Sequence, residues 1–129
     1  MQARSLANQY RQTSVSSAVL DASPHQLIAL MLAGARERAR LAIACLGRGD
    51  LPRKAQAITD ASAIIGGLNG ALNLKAGGEI ADGLQALYDY AQRQLLSANI
   101  DNDAAPLHEV DELLGDIESA WRAISPVPA

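Results

Sequence analysis

The sequence predicts an all-α fold, an antiparallel up-down four-helix bundle with an N-terminal arm that has room for a short helix. Three observations point there. Apolar residues recur at steps of three and four through four stretches of roughly 19–24 residues. Short turns rich in Gly, Asp and Pro separate those stretches. The composition is 49% hydrophobic but contains no Phe, one Trp and three Tyr, so its apolar content comes mainly from Ala and Leu, which favour helix over pleated sheet.

The first helix has a clear start. Ser23-Pro24-His25-Gln26 supplies an N-cap hydroxyl, a Pro in the first turn where its missing N–H is harmless, and a Gln at the reciprocal capping position. Leu27, Met31, Ala35, Ala39, Ala42 and Leu46 then recur on one face, with Ile28, Leu32 and Ile43 widening it, until Gly47 and Gly49 end the run. Asp50-Leu51-Pro52 opens the second helix, whose stripe is Ile58, Ala61, Ile65, Leu68 and Leu72, and which is expected to end before Gly77-Gly78. Gly66, Gly67 and Gly70 fall inside it, each costing about 0.8–1 kcal/mol relative to Ala. Two readings fit them: a kinked or frayed helix end, or a shallow groove where a partner approaches the backbone.

The third helix is expected over residues 79–99, with an acidic first turn and a stripe of Ile80, Leu84, Leu87, Ala91 and Leu95 that Tyr88 and Ile100 extend. The fourth follows the Asp101-Asn102-Asp103 turn and Pro106. Its Leu107, Val110, Leu114, Ile117, Trp121 and Ile124 alternate steps of three and four, and Pro126 and Pro128 prevent continuation. Short turns join antiparallel neighbours. Residues 1–22, with Leu6, Tyr10, Val15, Val19 and Leu20 scattered among Gln, Ser, Thr and Arg, read as the arm; residues 23–125 form the bundle, and 126–129 a short tail.

A chain of 129 residues can bury one core without disulfides or metals. The lone Cys45 has no internal partner and reads as a small buried hydrophobe. No apolar stretch approaches the roughly 18 residues of a membrane span, and no secretory signal stands at the start, so the cytoplasm is the expected compartment. Net charge is −3, with eight Lys/Arg against four Asp/Glu in residues 1–60 and three against ten in residues 61–129. That distribution, without interleaved aromatic and basic residues, argues against nucleic-acid binding. Arg36, Arg38 and Arg40, and the acids from Asp101 to Glu118, are each expected to be solvated faces.

Chemistry is not legible. A carboxylate-bridged metal site in a bundle needs Glu-x-x-His pairs on two helices, and the sequence has none. His25 and His108 read as structural, Cys45 has no nearby His, and no G-x-S-x-G turn is present. No enzyme, metal or cofactor is expected. What remains is a set of aliphatic stripes wider than a two-position seam, which fit either a bundle core, the simpler reading, or an excess of apolar surface for a partner.

The run Gly77-Gly78-Glu79-Ile80-Ala81, Leu84, Leu87-Tyr88, Tyr90, Leu95-Leu96, Ala98-Asn99 and Asp103 resembles the FliS family of flagellin export chaperones. Tyr10, Val15, Ser17-Ala18-Val19, the segment from Ala22 to Ile28, Gly34-Ala35, Glu109-Val110 and Ala120-Trp121 extend the resemblance over nearly the whole chain. It implies a cytosolic chaperone that works without ATP. Its partner would be the C-terminal segment of flagellin, kept unpolymerised and competent for type III export, with that segment disordered when free and laid into apolar surface grooves when bound. The binding surface implied comprises Leu6, Tyr10 and Val15 of the arm, Ile65, Leu68, Asn69 and Leu72 of the second helix, and Leu84, Leu87, Tyr88, Ala91 and Leu95 of the third. The family often has an aromatic residue and an acid where this chain has Leu32-Ala33, and Met where it has Ala91, which implies a shallower groove. Further partners left open are the flagellar export gate and other flagellar regulators, with a monomer or weak homodimer when free. The competing reading is a self-associating structural bundle without a client.

Overall fold

The structure, a computed structural model, describes residues 22–124. The expectations for the arm, Leu6, Tyr10 and Val15 among them, and for the tail lie outside the described residues. Within them are four helices: α1 (Pro24–Gly47), α2 (Leu51–Gly70), α3 (Leu74–Asp101) and α4 (Ala105–Ala123). α1 packs on α2 and α4, and α3 packs on the same two, so chain neighbours are spatial neighbours and α4 closes the ring. Cross-helix bonds give the direction: Lys54, Ser62 and Asn69 of α2 pair with Asn99, Gln92 and Asp89 of α3 in descending order. His25 lies beside Trp121, and Arg40 beside Asp111. The bundle is antiparallel and up-down. Among the described residues no helix is long and apolar enough to cross a membrane.

The N-caps of α1 and α2 are those the sequence predicts. Ser23 Oγ accepts from the Gln26 N–H at 3.2 Å while Gln26 Oε1 accepts from the Ser23 N–H at 2.9 Å, closing a full capping box. Asp50 Oδ1 accepts from the Arg53 N–H at the start of α2. Gly49 takes φ +72° in the turn after α1, a conformation that suits a residue without Cβ. The core joins Leu27, Met31, Leu32 and Ala35 of α1 with Ile58, Ala61, Ile64 and Ile65 of α2, Tyr88, Ala91, Leu95 and Ala98 of α3, and Leu107, Val110 and Leu114 of α4. Cys45 is buried, with an Arg48 N–H directed at its Sγ.

Three expectations are corrected. α2 ends at Gly70 rather than running to Gly77-Gly78, because Asn73 restarts the chain: its Oδ1 accepts from the Ala76 N–H at 3.1 Å. A single turn follows, Gly78 breaks it at φ +54°, ψ −133°, and the long run of α3 begins with Glu79, where the sequence places it. The buried stripe of α3 is also rotated. Ala81, Tyr88, Ala91, Leu95 and Ala98 face the core, whereas Ile80 is 78% exposed and Leu87 38% exposed. Each exposed residue is the chain neighbour of a buried apolar one, and periodicity alone cannot choose between neighbours.

The third correction concerns charge. Arg36 donates from Nε to Asp111 Oδ1 and from Nη1 to Glu118 Oε1, both at 2.8 Å, and Arg40 Nε reaches Asp111 Oδ2 at 3.1 Å. Two of the acids expected to be solvated thus pin α4 to α1. Burial raises the Asp111 pKa, but the hydrogen bonds from Arg36 and Arg40 outweigh it and hold the carboxyl below its ordinary value. Those to Asp111 and Glu118 in turn raise Arg36.

Candidate functional site

A groove of about 410 Å³ runs between α2 and α3. Ile58, Thr59, Ser62, Ala63 and Gly66 line it from α2; Gln92, Leu95, Leu96 and Asn99 line it from α3. Thr59, Ser62, Ala63 and Gly66 are spaced three, one and three apart, so they form one face of α2, and all four are small. Small residues on that face lower one wall. Ile58 and Leu95 are buried and form the floor, while Leu96 stands 60% exposed on the rim.

Gln92 crosses the floor. Its Nε2 donates to the Ser62 carbonyl at 3.0 Å, and a Cβ at Gly66 would approach that nitrogen to 3.3 Å. Glycine therefore leaves Gln92 the space to reach the α2 backbone. Of the two readings open for the glycines, both have a structural counterpart: α2 terminates at Gly70, and Gly66 helps to form a groove. At one side Asn69 Nδ2 donates to Asp89 Oδ1 at 2.8 Å, while Asn69 Oδ1 is buried with no hydrogen-bond partner. Among the described residues no charged side chain lines the groove itself. Its surface can hold an uncharged, largely apolar segment by contact and by a few side-chain hydrogen bonds.

The described residues of the expected binding surface divide into three groups. Ile65, Leu68, Tyr88, Ala91 and Leu95 are buried in the core; they lie beneath the surface rather than on it, and of these only Leu95 reaches the groove, as part of its floor. Burial also pushes the Tyr88 hydroxyl up to about 12. Leu72 and Leu84 are half-buried against the core, and Asn69 is half-buried beside the Asp89 contact. Leu87 is exposed and one turn from Tyr90, whose hydroxyl donates to Glu109 Oε1 of α4 at 2.6 Å. That bond raises the Tyr90 pKa. Gln94, two turns from Leu87, donates to the same Glu109 oxygen at 2.7 Å, so Leu87 belongs to the α4-facing flank of α3. Thr59, Ser62, Ala63, Gln92, Leu96 and Asn99 are absent from the expected surface, whereas Gly66 is anticipated by the groove reading of the glycines. Gly66 and the Leu95-Leu96 pair were the available signals, since a second Leu beside a core Leu must point elsewhere.

A family profile described as flagellar protein FliS matches residues 6–128. A flagellar secretion chaperone FliS of Salmonella typhimurium is 48% identical over 118 residues, covering 91% of this chain and 87% of its own. The flagellar secretion chaperone FliSB of Pseudomonas aeruginosa is 42% identical over 125 residues, 97% and 99% of the two chains, and a FliS of Bacillus subtilis is 34% identical over 113 residues, 88% and 80%. With a profile spanning nearly the whole length and relatives well above 30% identity, the four-helix chain described above belongs to the FliS family of flagellar proteins.

Proposed function

We propose that the protein is a cytosolic, non-enzymatic export chaperone that binds the C-terminal segment of flagellin and keeps it unpolymerised for type III flagellar export. The observation that carries this reading is the uncharged α2/α3 groove with Leu96 exposed on its rim. Its family relatives are named flagellar secretion chaperones, and a secretion chaperone must hold an unfolded client. A rigid bundle with a groove already formed suits that task, because the ordering cost falls on the client and keeps the complex releasable. The client lies in the groove and continues across α3 to Leu87, with Leu72 and Leu84 beside its path; Tyr10, Leu6 and Val15 of the arm add contacts.

Leu96→Glu is the direct test. The side chain is 60% exposed, so the variant keeps its fold while placing a carboxylate on an apolar rim. Calorimetric titration with a flagellin C-terminal peptide should show binding at least tenfold weaker than the parent, and an unchanged affinity would refute the groove. Gel filtration completes the test: a one-to-one complex supports a chaperone, and self-assembly indifferent to peptide supports a structural bundle.

A further inference from the structure

Lys54 is a buried cation without an acid among the described residues. It is 4% exposed, and its Nζ donates to Asn99 Oδ1 at 2.7 Å, to the Asn99 carbonyl at 3.1 Å and to Asn102 Oδ1 at 2.6 Å. All three partners are neutral oxygens. Part of this is local necessity: α3 ends here, its last carbonyls lack intrahelical donors, and Asn102 turns the chain at φ +51°. The carbonyl contact alone would serve that end.

The contact to the Asn99 side chain does something else. An ammonium has only protons to offer, so the amide beside it must present its oxygen, and its NH₂ must point away. Asn99 lines the groove, and its Nδ2 makes no hydrogen bond among the described residues. We infer that Asn99 offers this fixed N–H donor to an amide carbonyl of the client, with Lys54 the positioning residue that holds the amide in that orientation. The inference rests on the client-binding reading of the groove and adds to it one specific polar contact. Gln92 complements it: Nε2 is taken by the Ser62 carbonyl, which leaves Oε1 as an acceptor. Seven residues separate Gln92 from Asn99, two helical turns or about 10.5 Å, a distance an extended chain covers in about three residues. In a groove without charge, such a pair fixes the register of a segment that contact alone would let slide.

Asn99→Asp tests the donor without breaking the Lys54 contact, because a carboxylate oxygen still accepts from Nζ while an oxygen replaces the outward NH₂. The variant should melt no lower than the parent and bind the flagellin C-terminal peptide about tenfold more weakly. Lys54→Met should weaken binding too, but add little when Asn99 is already Asp. In the parent, the side-chain NH₂ resonance of Asn99 should move on peptide addition. Peptides with every Asn and Gln changed to Ala separate the two sources of the carbonyl: a retained Asn99→Asp penalty assigns the main chain, and a vanished one a side-chain amide. Parent-like affinity of Asn99→Asp, with Leu96→Glu impaired, would overturn the donor and leave the groove standing; parent-like affinity of both would remove the groove itself.

Discussion

The guanidinium of Arg36 lies across Gly115, so close that a Cβ on that glycine would come within 2.9 Å of Cζ. Arg36 on α1 spans Asp111 and Glu118 on α4, and Gly115 sits between those acids, one turn from each. The missing side chain is what lets one arginine hold both. Arg40 shares Asp111, and Arg122 donates to Glu118 at 3.3 Å, so three cations and two acids form one connected network.

Replacing Gly115 by Ala sets two effects against each other. Ala gains about 0.5–1 kcal/mol in a helix interior, while displacing a part-buried arginine from its acids costs about 1 kcal/mol. Gly115→Ala should therefore lie within about 1 kcal/mol of the parent in dilute salt. Its stability relative to the parent should rise as salt is added, because screening removes a network that the variant has already lost. Denaturant melts at low and high salt check this.

Asp111→Asn should cost about 1–2 kcal/mol at neutral pH, since the amide keeps one acceptor oxygen but loses the charge and turns an NH₂ toward one of the two arginines that share Asp111. The pH dependence has a fixed sign. The folded-state pKa of Asp111 lies below its ordinary value of 3.8, so the parent's advantage is complete above that value. It is lost as pH falls through the folded pKa. The gap between urea melts of parent and variant should narrow as pH falls from about 7 into the acid range below 3.8; a gap independent of pH would show that the charge of Asp111 contributes nothing.

Trp121 joins the two ends of the chain's core. Its Nε1 donates to the His25 carbonyl at 2.9 Å, and its ring stacks on that of His25 with centroids 4.8 Å apart. Trp121→Phe keeps an aromatic face and loses the hydrogen bond, so it should cost about 1 kcal/mol. Trp121→Ala should cost about 3 kcal/mol, at the low end for such truncations because the side chain is half-buried. Both should leave peptide affinity intact under conditions where the variants are folded, as circular dichroism melts paired with calorimetry will report.

Local chemistry made the helices legible, and long-range chemistry hid the groove. The Ser23–Gln26 capping box, the Asp50 cap and the stripe of α4 are written within a few residues of where they act. The choice of Ala81 over Ile80, and of Tyr88 over Leu87, depends on how α3 settles between α2 and α4, which its own period does not specify. Arg36 and Asp111 are 75 residues apart in sequence, and nothing in either neighbourhood names the other. The groove wall escapes a search for hydrophobic faces because Thr59, Ser62, Ala63 and Gly66 matter by being small. Likewise, nothing in the sequence around Lys54 names the end of α3 that folds over it.

Leu68, Leu87 and Leu96 together separate folding from binding. Leu68 is 2% exposed in the core, so Leu68→Glu must bury an unpaired carboxylate and should cost more than the roughly 2–5 kcal/mol of truncating a buried Leu. Its loss of peptide binding would therefore follow its loss of structure. Leu87→Glu and Leu96→Glu alter exposed positions and should melt near the parent. Leu96 lines the α2/α3 groove, whereas Leu87 lies on the α4-facing flank, so a client crossing α3 meets them at separate points along its length. The whole flagellin C-terminal segment should then be weakened by both substitutions, with nearly additive effects. Each half of the segment should respond to only one of them. If Leu87→Glu leaves the affinity of the whole segment unchanged, the client stays within the groove and does not cross α3.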